Sequence, residues 1–209
     1  MARYIGPSCR ICRREGMKLF LKGTKCTTPK CPVSRRAYAP GQHGKGRLKK
    51  LSDYGVQLRE KQKLRKTYGL LEKQFKHYFR IASKSKGVTG AVLLQLLERR
   101  LDNVVFRLGF AHSRAHGRQL VRHGLITVGG KKVNLPSYFV NVGNKIGVQA
   151  QERIQKHIRQ TLETVKERGT PSWLEMNPEQ LVGTVLRFPD KQDSQIPVKE
   201  QLIVELYSK

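Results

Sequence analysis

Between Arg100 and Val148 the spacing of apolar positions changes period once, from helical to alternating. Leu101, Val104, Val105 and Leu108 recur at i, i+3, i+4 and i+7, the pattern of one buried face of a short helix, and Gly109 ends it. Ser113 is placed to cap a second helix running to about His123, with Gly117, Leu120 and Val121 inward and Gly124 where a left-handed residue closes helices. The period then falls to two. Ile126 and Val128 alternate, Gly129-Gly130 suits a primed two-residue turn, and Val133 begins the return strand. Tyr138–Val140 and Lys145–Val148 read as two more short strands around a turn at Gly143-Asn144. The predicted unit is helix–turn–helix–hairpin with a small sheet behind it.

Upstream, Ser52 can cap a helix over about 53–67 that stops before Gly69. A second helix, about 72–83, places Phe75, Phe79 and Ala82 inward with Tyr78 alongside. A third, from about Thr89 to Leu97, is apolar on several sides through Val92, Leu93, Leu94, Leu96 and Leu97. Downstream, residues 152–168 form an amphipathic pattern with Ile154, Ile158, Leu162 and Val165 inward. Residues 169–198 read as loops and strands: turns at Gly169–Ser172 and Asp190–Ser194, a strand at Gly183–Phe188, and Trp173 and Leu174 packed under the sheet. Gln201–Tyr207 suits strand and helix equally.

Charge changes what these elements are for. The chain of 209 residues carries 42 Lys+Arg against 15 Asp+Glu, a formal net charge of +27. Such an excess points to a polyanion. An anionic membrane is disfavoured, because no apolar run of about 18 residues exists, and the basic N-terminus lacks the apolar stretch of a secretion signal. The expected partner is therefore nucleic acid in the cytoplasm. Basic groups dominate residues 1–150, whereas residues 151–209 carry equal numbers of acids and bases. In the second helix of the central unit, Arg114, Arg118 and Arg122 lie four apart and predict a row of guanidinium groups open to solvent. Ser113 at the helix start, where unpaired amides favour phosphate, and Lys131 and Lys132 beyond the hairpin turn join them as candidate phosphate contacts. Further candidates are Arg35, Arg36, His43, Lys45, Arg47, Lys49 and Lys50 in a Pro- and Gly-rich stretch without a core of its own. Arg59, Lys61, Lys63, Arg65 and Lys66 on the helix over 53–67 complete the set.

All four cysteines fall near the start: Cys9, Cys12, Cys26 and Cys31, a C-x2-C-x13-C-x4-C pattern. Two close pairs can bring four thiolates around one cation, each pair closing a turn. One structural zinc ion suits a tetrahedral sulfur site, and a 4Fe-4S cluster is the alternative. Two disulfides fit poorly with a cytosolic chain. Ile11, Leu19, Phe20 and Leu21 supply too little apolar surface for this segment to fold alone.

The sequence Ala39-Pro-Gly-Gln-His-Gly44, with Ser52-Asp53-Tyr54 and Leu58-Arg-Glu-Lys-Gln-Lys-Leu64, resembles the family of protein four of the bacterial small ribosomal subunit. So do Arg100-Leu-Asp-Asn-Val-Val105, Ser113-Arg114 and Arg118-Gln-Leu-Val121, and the four cysteines resemble its metal-binding branch. The resemblance covers essentially the full length. It implies a ribosomal protein that binds small-subunit (16S) rRNA at a multi-helix junction, nucleates assembly and supports translational accuracy. It also implies contact with other proteins of that subunit, protein five foremost, a place near the mRNA entry tunnel, and repression of its own mRNA. The implied fold class is α+β, with a metal-bound N-terminal arm over 1–45 and a small all-helical domain over 46–98 closed by a returning helix at 198–209. A second domain, 99–197, is a small, mostly antiparallel sheet with helices packed on it, and contains the RNA-binding module at about 100–150. Two departures stand out: Gly117 lies where the family usually has Ala, and Gly129-Gly130 replaces Asn-Gly.

No enzyme is expected. The chain has no H-E-x-x-H, and Lys132 stands where a phosphate-binding G-x-x-x-x-G-K-[ST] loop needs Ser or Thr. The six histidines are scattered, and nothing suggests a small-molecule substrate. Competing readings are an RNA-modifying enzyme of pseudouridine-synthase type or an RNA chaperone, each carrying the same module. The first lacks a catalytic constellation, and the second leaves most of the chain without a purpose.

Overall fold

Capping and periodicity act as the residues dictate along most of the chain. The hydroxyl of Ser52 accepts the Gly55 N–H at 3.3 Å and starts a 15-residue helix, and Ser113 caps a second one through the His116 N–H at 3.2 Å. A computed structural model describes residues 2–46, 50–165, 168–194 and 196–208. The chain divides into two compact units, residues 1–93 with 196–209, and residues 94–195.

The first unit holds α1 (Ser8–Glu15), α2 (Pro32–Arg35), α3 (Asp53–Thr67), α4 (Glu72–Lys84), the start of α5 (Thr89–Glu98) and, from the far end of the chain, α9 (Glu200–Tyr207). Tyr207 decides the conformation of the ambiguous C-terminal stretch. Its ring stacks on Phe79 at 4.5 Å and Phe75 at 6.3 Å, and its hydroxyl donates to Glu72 Oε1 at 2.8 Å. Ile203, one helical turn earlier, is fully buried, and Gln57 on α3 donates to Glu205 at 3.0 Å. A strand would turn alternate residues away from α3 and α4.

The second unit holds the end of α5, α6 (Leu101–Arg107), α7 (Arg114–Arg122), β1 (Ile126–Val128), β2 (Lys131–Lys132), β3 (Lys145–Val148), α8 (Glu152–Val165), β4 (Leu174–Asn177) and β5 (Val182–Val185). The strands form an antiparallel sheet in the order β2-β1-β3-β5-β4. One face of α6, with Leu101, Val104, Val105 and Leu108, meets Leu120 and Val121 of α7, Ile126 and Ile146 of the sheet, Ile158 of α8 and the buried Trp173. Gly129 and Gly130 both have positive φ, 56° and 81°, so the primed hairpin turn forms without Asn-Gly. At Gly117 an added Cβ would lie 2.7 Å from the Asp102 carbonyl oxygen, so this glycine lets α7 approach α6 closely.

Three expectations are corrected. Tyr138–Val140 makes a single bridge, Arg100 to Phe139, instead of a strand. Its backbone is taken by the entrance to α6: Leu101 N–H donates to Tyr138 at 2.9 Å, and Val140 N–H donates to Arg99 at 3.0 Å. Leu174 lies within a strand rather than beneath the sheet, because Leu174–Asn177 pairs along β5 in full register. The strand expected at Gly183–Phe188 ends at Val185, and Leu186 N–H turns to the Trp173 carbonyl at 3.0 Å.

Gly183 on β5 faces Leu108, which is 1 % exposed, and a Cβ there would lie 2.3 Å from a Leu108 methyl. Gly183→Ala is expected to cost about 1–3 kcal/mol of stability through overpacking. Urea unfolding followed by Trp173, the one tryptophan, measures it, and an unchanged midpoint would refute the tight contact.

Candidate nucleic-acid interface

The arginine row of α7 is not one open face. Arg118 is buried, and its guanidinium reaches Asp102 Oδ2 at 3.2 Å. The same carboxylate holds Arg100, 0 % exposed, through Nε at 3.1 Å and Nη2 at 2.6 Å. Arg114 is half-buried: its Nε donates to Asn103 Oδ1 at 2.8 Å and its guanidinium lies 4.6 Å from the Phe106 ring centre. Asn103 in turn donates to Glu98 Oε2 at 2.6 Å, and Arg107 closes on the same carboxylate at 2.7 and 3.0 Å. The close crossing permitted by Gly117 puts α7 onto the polar start of α6. Arginines at i and i+4 of α7 therefore meet groups on α6 before they meet solvent. Arg122, one turn further, is exposed as expected. The buried Ser113 oxygen accepts the His116 N–H in the cap, which takes up one of the helix-start amides that a phosphate would otherwise meet.

One group of exposed cations in this unit lies at the other end of α7 and the hairpin, and α8 carries exposed Arg153, Lys156 and Arg159 besides. Arg122 and His123 end the helix, Lys131 and Lys132 form the edge strand β2, and Lys145 starts β3, all exposed. Lys131 pairs across from Val128, whose other neighbour is Ile146, so Lys131 and Lys145 share one end of the sheet.

In the first unit the basic helix α3 is largely committed internally. Arg59 pairs with Glu15 at 3.2 Å, Lys61 with Glu72 at 2.8 Å, Lys63 with Glu60, and Arg65 with Glu72 at 3.3 Å. Burial would raise the Glu72 carboxyl, but hydrogen bonds from Lys61 and Tyr207 outweigh it and hold its pKa below the ordinary value. Lys66 lies 4.4 Å from the Tyr4 ring centre, and burial, then Arg65, pull its pKa down. From sequence alone Arg59, Lys61, Lys63, Arg65 and Lys66 are expected to be phosphate contacts. Packing against α1, α4 and α9 turns its cations toward carboxylates instead.

Helix α4 carries the open stripe that α3 lacks. Lys73, Lys76, Arg80 and Lys84 are all exposed, opposite the buried Phe75, Phe79 and Ala82. Their spacing of three, four and four was legible in the sequence but was overlooked beside the denser run on α3. Arg35, Arg36, His43, Lys45 and Lys50 are exposed as expected, while Arg47 and Lys49 lie outside the described residues. The stretch carrying them is held partly by α1: Arg13 donates to the Tyr38 carbonyl at 3.0 Å and Arg14 to that of Pro40 at 3.1 Å.

Cys9, Cys12, Cys26 and Cys31 are free thiols lining one small pocket with Leu21, Lys22, Pro32 and Val33. Lys22 N–H donates to Cys26 Sγ at 3.4 Å, and Cys12 accepts the Leu19 amide. Burial, helped by the other cysteines, pushes both thiols above their ordinary pKa, which a divalent cation would reverse. Among the described residues no three His, Cys, Asp or Glu groups already stand at metal-holding geometry.

Comparison with known proteins covers both units. The family described as Ribosomal protein S4/S9 N-terminal domain matches residues 3–98, and the S4 domain matches residues 99–146. Small ribosomal subunit protein uS4 of Citrifermentans bemidjiense is 58% identical over the full length of both chains. The proteins of that name from Thermodesulfovibrio yellowstonii and Thermus thermophilus are each 57% identical, again over the whole of both chains.

Asp102→Ala would leave the Arg100 guanidinium buried without its bidentate partner, which is expected to cost about 3–5 kcal/mol. Arg118→Ala should cost less, because Asp102 keeps Arg100. Denaturant titration of both variants checks the order, and equal losses would contradict it.

Proposed function

This chain belongs to the uS4 family of small ribosomal subunit proteins, and we propose that its exposed cations, rather than its full arginine row, grip the RNA. As a uS4 protein it is a constituent of the small subunit that binds small-subunit rRNA, and it works in the cytoplasmic ribosome. No helix among the described residues is long and apolar enough to cross a membrane. The observation that carries the proposal is the division of charge within the module. Arg118 is closed onto Asp102, whereas Arg122, Lys131, Lys132 and Lys145 are exposed around α7 and the hairpin.

Side chains read duplex RNA poorly through its deep groove, so such a surface acts on backbone geometry at a helix junction. The α4 stripe and the exposed cations of residues 35–50 supply contacts from the first unit. Buried Arg100, Arg107 and Arg118 position α7. Assembly nucleation, support of accuracy, contact with protein five, approach to mRNA and repression of its own message follow from the family resemblance. All 209 of these residues align with ribosomal proteins, which favours this reading over a pseudouridine synthase.

For the cysteines the reading is one structural zinc ion, with a 4Fe-4S cluster as the alternative, supported by four free thiols around one small pocket. Cys9, Cys12, Cys26 and Cys31 would hold it, and amides of Leu19 and Lys22 already point at two of the sulfurs. Bound metal would neutralise buried thiolate charge and tie α1 to α2 where few apolar residues do so.

Two measurements test these readings. Replacing Arg122, Lys131 and Lys132 together by Ala should lower the log–log salt slope of rRNA-fragment binding by roughly 0.7 for each phosphate left without its cation. A slope equal to the wild type would move the RNA face elsewhere. Elemental analysis of the purified protein should find one zinc and no visible colour, and Cys26→Ala should abolish it while the Trp173 unfolding transition persists. A brown iron chromophore selects the cluster, and absence of both metals removes the site.

A further inference from the structure

Three histidines converge where α7 and α8 meet. The rings of His112 and His116 stack at 4.4 Å between centres, with an interplanar angle of 29°, and His157 on α8 presents itself to His116 at 6.2 Å and 67°. Nδ1 of His116 is buried without a hydrogen-bond partner among the described residues. Arg168 lies beside them. Its Nη2 donates to the carbonyls of Phe106 at 2.6 Å and Ala111 at 3.5 Å, and its guanidinium covers the Phe106 ring at 4.0 Å. Among the described residues Arg168 makes no ion pair.

The charged groups acting on His112 are His157 and Arg168 and those acting on His116 are His112 and His157, while Arg168 faces Arg114 and Arg107. Arg107 is closed onto Glu98, and Arg114 is bonded to Asn103. Burial, and then the other two histidines, hold His116 down to about pH 4, and burial with His157 and Arg168 lowers His112. Burial, then Arg114 and Arg107, lower Arg168 to about 10. The cluster is thus a concentration of nitrogen donors whose positive potential is answered by carbonyl oxygens and rings. A divalent cation would meet the Arg168 guanidinium, and among the described residues no three ligands stand at metal-holding geometry. An anion satisfies both the spare nitrogen and the charge.

We propose that His112, His116, His157 and Arg168 form a further phosphate-binding site on the module, filled by a phosphodiester of the bound RNA. The site rests on the rRNA-binding reading above and extends it to α8, in a part of the chain whose formal charge is balanced overall. Phosphate stabilises the protonated imidazoles, so occupancy takes up protons. The sign follows from linkage: a free-state pKa near 4 for His116 rises on binding, and affinity grows as pH falls through the raised value toward the free one.

The test compares the full-length wild type with His116→Gln and His157→Gln, binding a small-subunit rRNA fragment between pH 7.5 and 5.5 at several salt concentrations. His157 is exposed, so its variant keeps the fold even if His116→Gln does not. Wild-type affinity should rise on acidification by about threefold to tenfold more than that of either variant. Each variant should also lose up to roughly 0.7 from the log–log salt slope. Parallel pH and salt profiles for wild type and both variants would overturn the site. Failure of the wild type to bind the fragment at all would instead overturn the functional reading. Inorganic phosphate is titrated separately while the histidine ring resonances are followed by NMR. Saturable shifts with unaltered RNA profiles would assign the site to free phosphate and refute the RNA occupant.

Discussion

One buried carboxylate organises the RNA-binding module. Asp102 holds Arg100 in a two-point contact from the start of α6 and reaches across to Arg118 on α7, with all three residues nearly excluded from water. Two guanidiniums facing one carboxylate would be unstable in a dry interior without good geometry, and the short bidentate pair supplies it. The neighbouring Glu98 makes the equivalent closure with Arg107 and Asn103, and Arg107 also donates to the Ser194 carbonyl at 2.6 Å. These contacts fix the crossing of α6 and α7 and tie both to the loop beyond β5. The apolar face beneath can then be shared by helices and sheet.

That constraint redistributes charge. A formal +27 suggests cations everywhere, yet many of the densest are internal. Arg100, Arg107 and Arg118 are buried, and Arg59, Lys61, Lys63 and Arg65 on α3 meet Glu15, Glu60 and Glu72. The acids are few, but Glu15, Glu60, Glu72, Glu98 and Asp102 stand where they neutralise cations drawn inward by packing. The exposed cations at the hairpin end of the module, on the outer face of α4 and on the arm are the ones proposed above for RNA. Arg100, Arg107 and Arg118, which look most like ligands in the sequence, are instead buried in ion pairs that hold α6 and α7 together.

Local signals carried much of the architecture. Ser52 and Ser113 marked two helix starts, Gly129-Gly130 marked the hairpin, and the i, i+3, i+4, i+7 pattern of α6 gave the core-facing residues. Each depends on interactions within a few residues, which is why sequence exposes it. β4 was missed although Leu174-Glu-Met-Asn177 alternates apolar and polar, because so short a run between Pro171 and Pro178 stands out only once it pairs with β5. Tyr138–Val140 has strand-like residues, but its hydrogen bonds go to the entrance of α6.

The sequence by itself determined the family, the RNA-directed charge, the four-cysteine pattern and the order of the main helices, because each is written in spacing or composition. Only the tertiary structure decided which cations face solvent. Arg118 and Arg122 occupy equivalent positions in the helical repeat, yet one lies over Asp102 and the other beyond the end of α6. The imidazole cluster likewise unites His112 and His116 with His157, some forty residues away along the chain, and no local period links them. Exposure and convergence are properties of packing between elements, and packing is what a one-dimensional pattern leaves open.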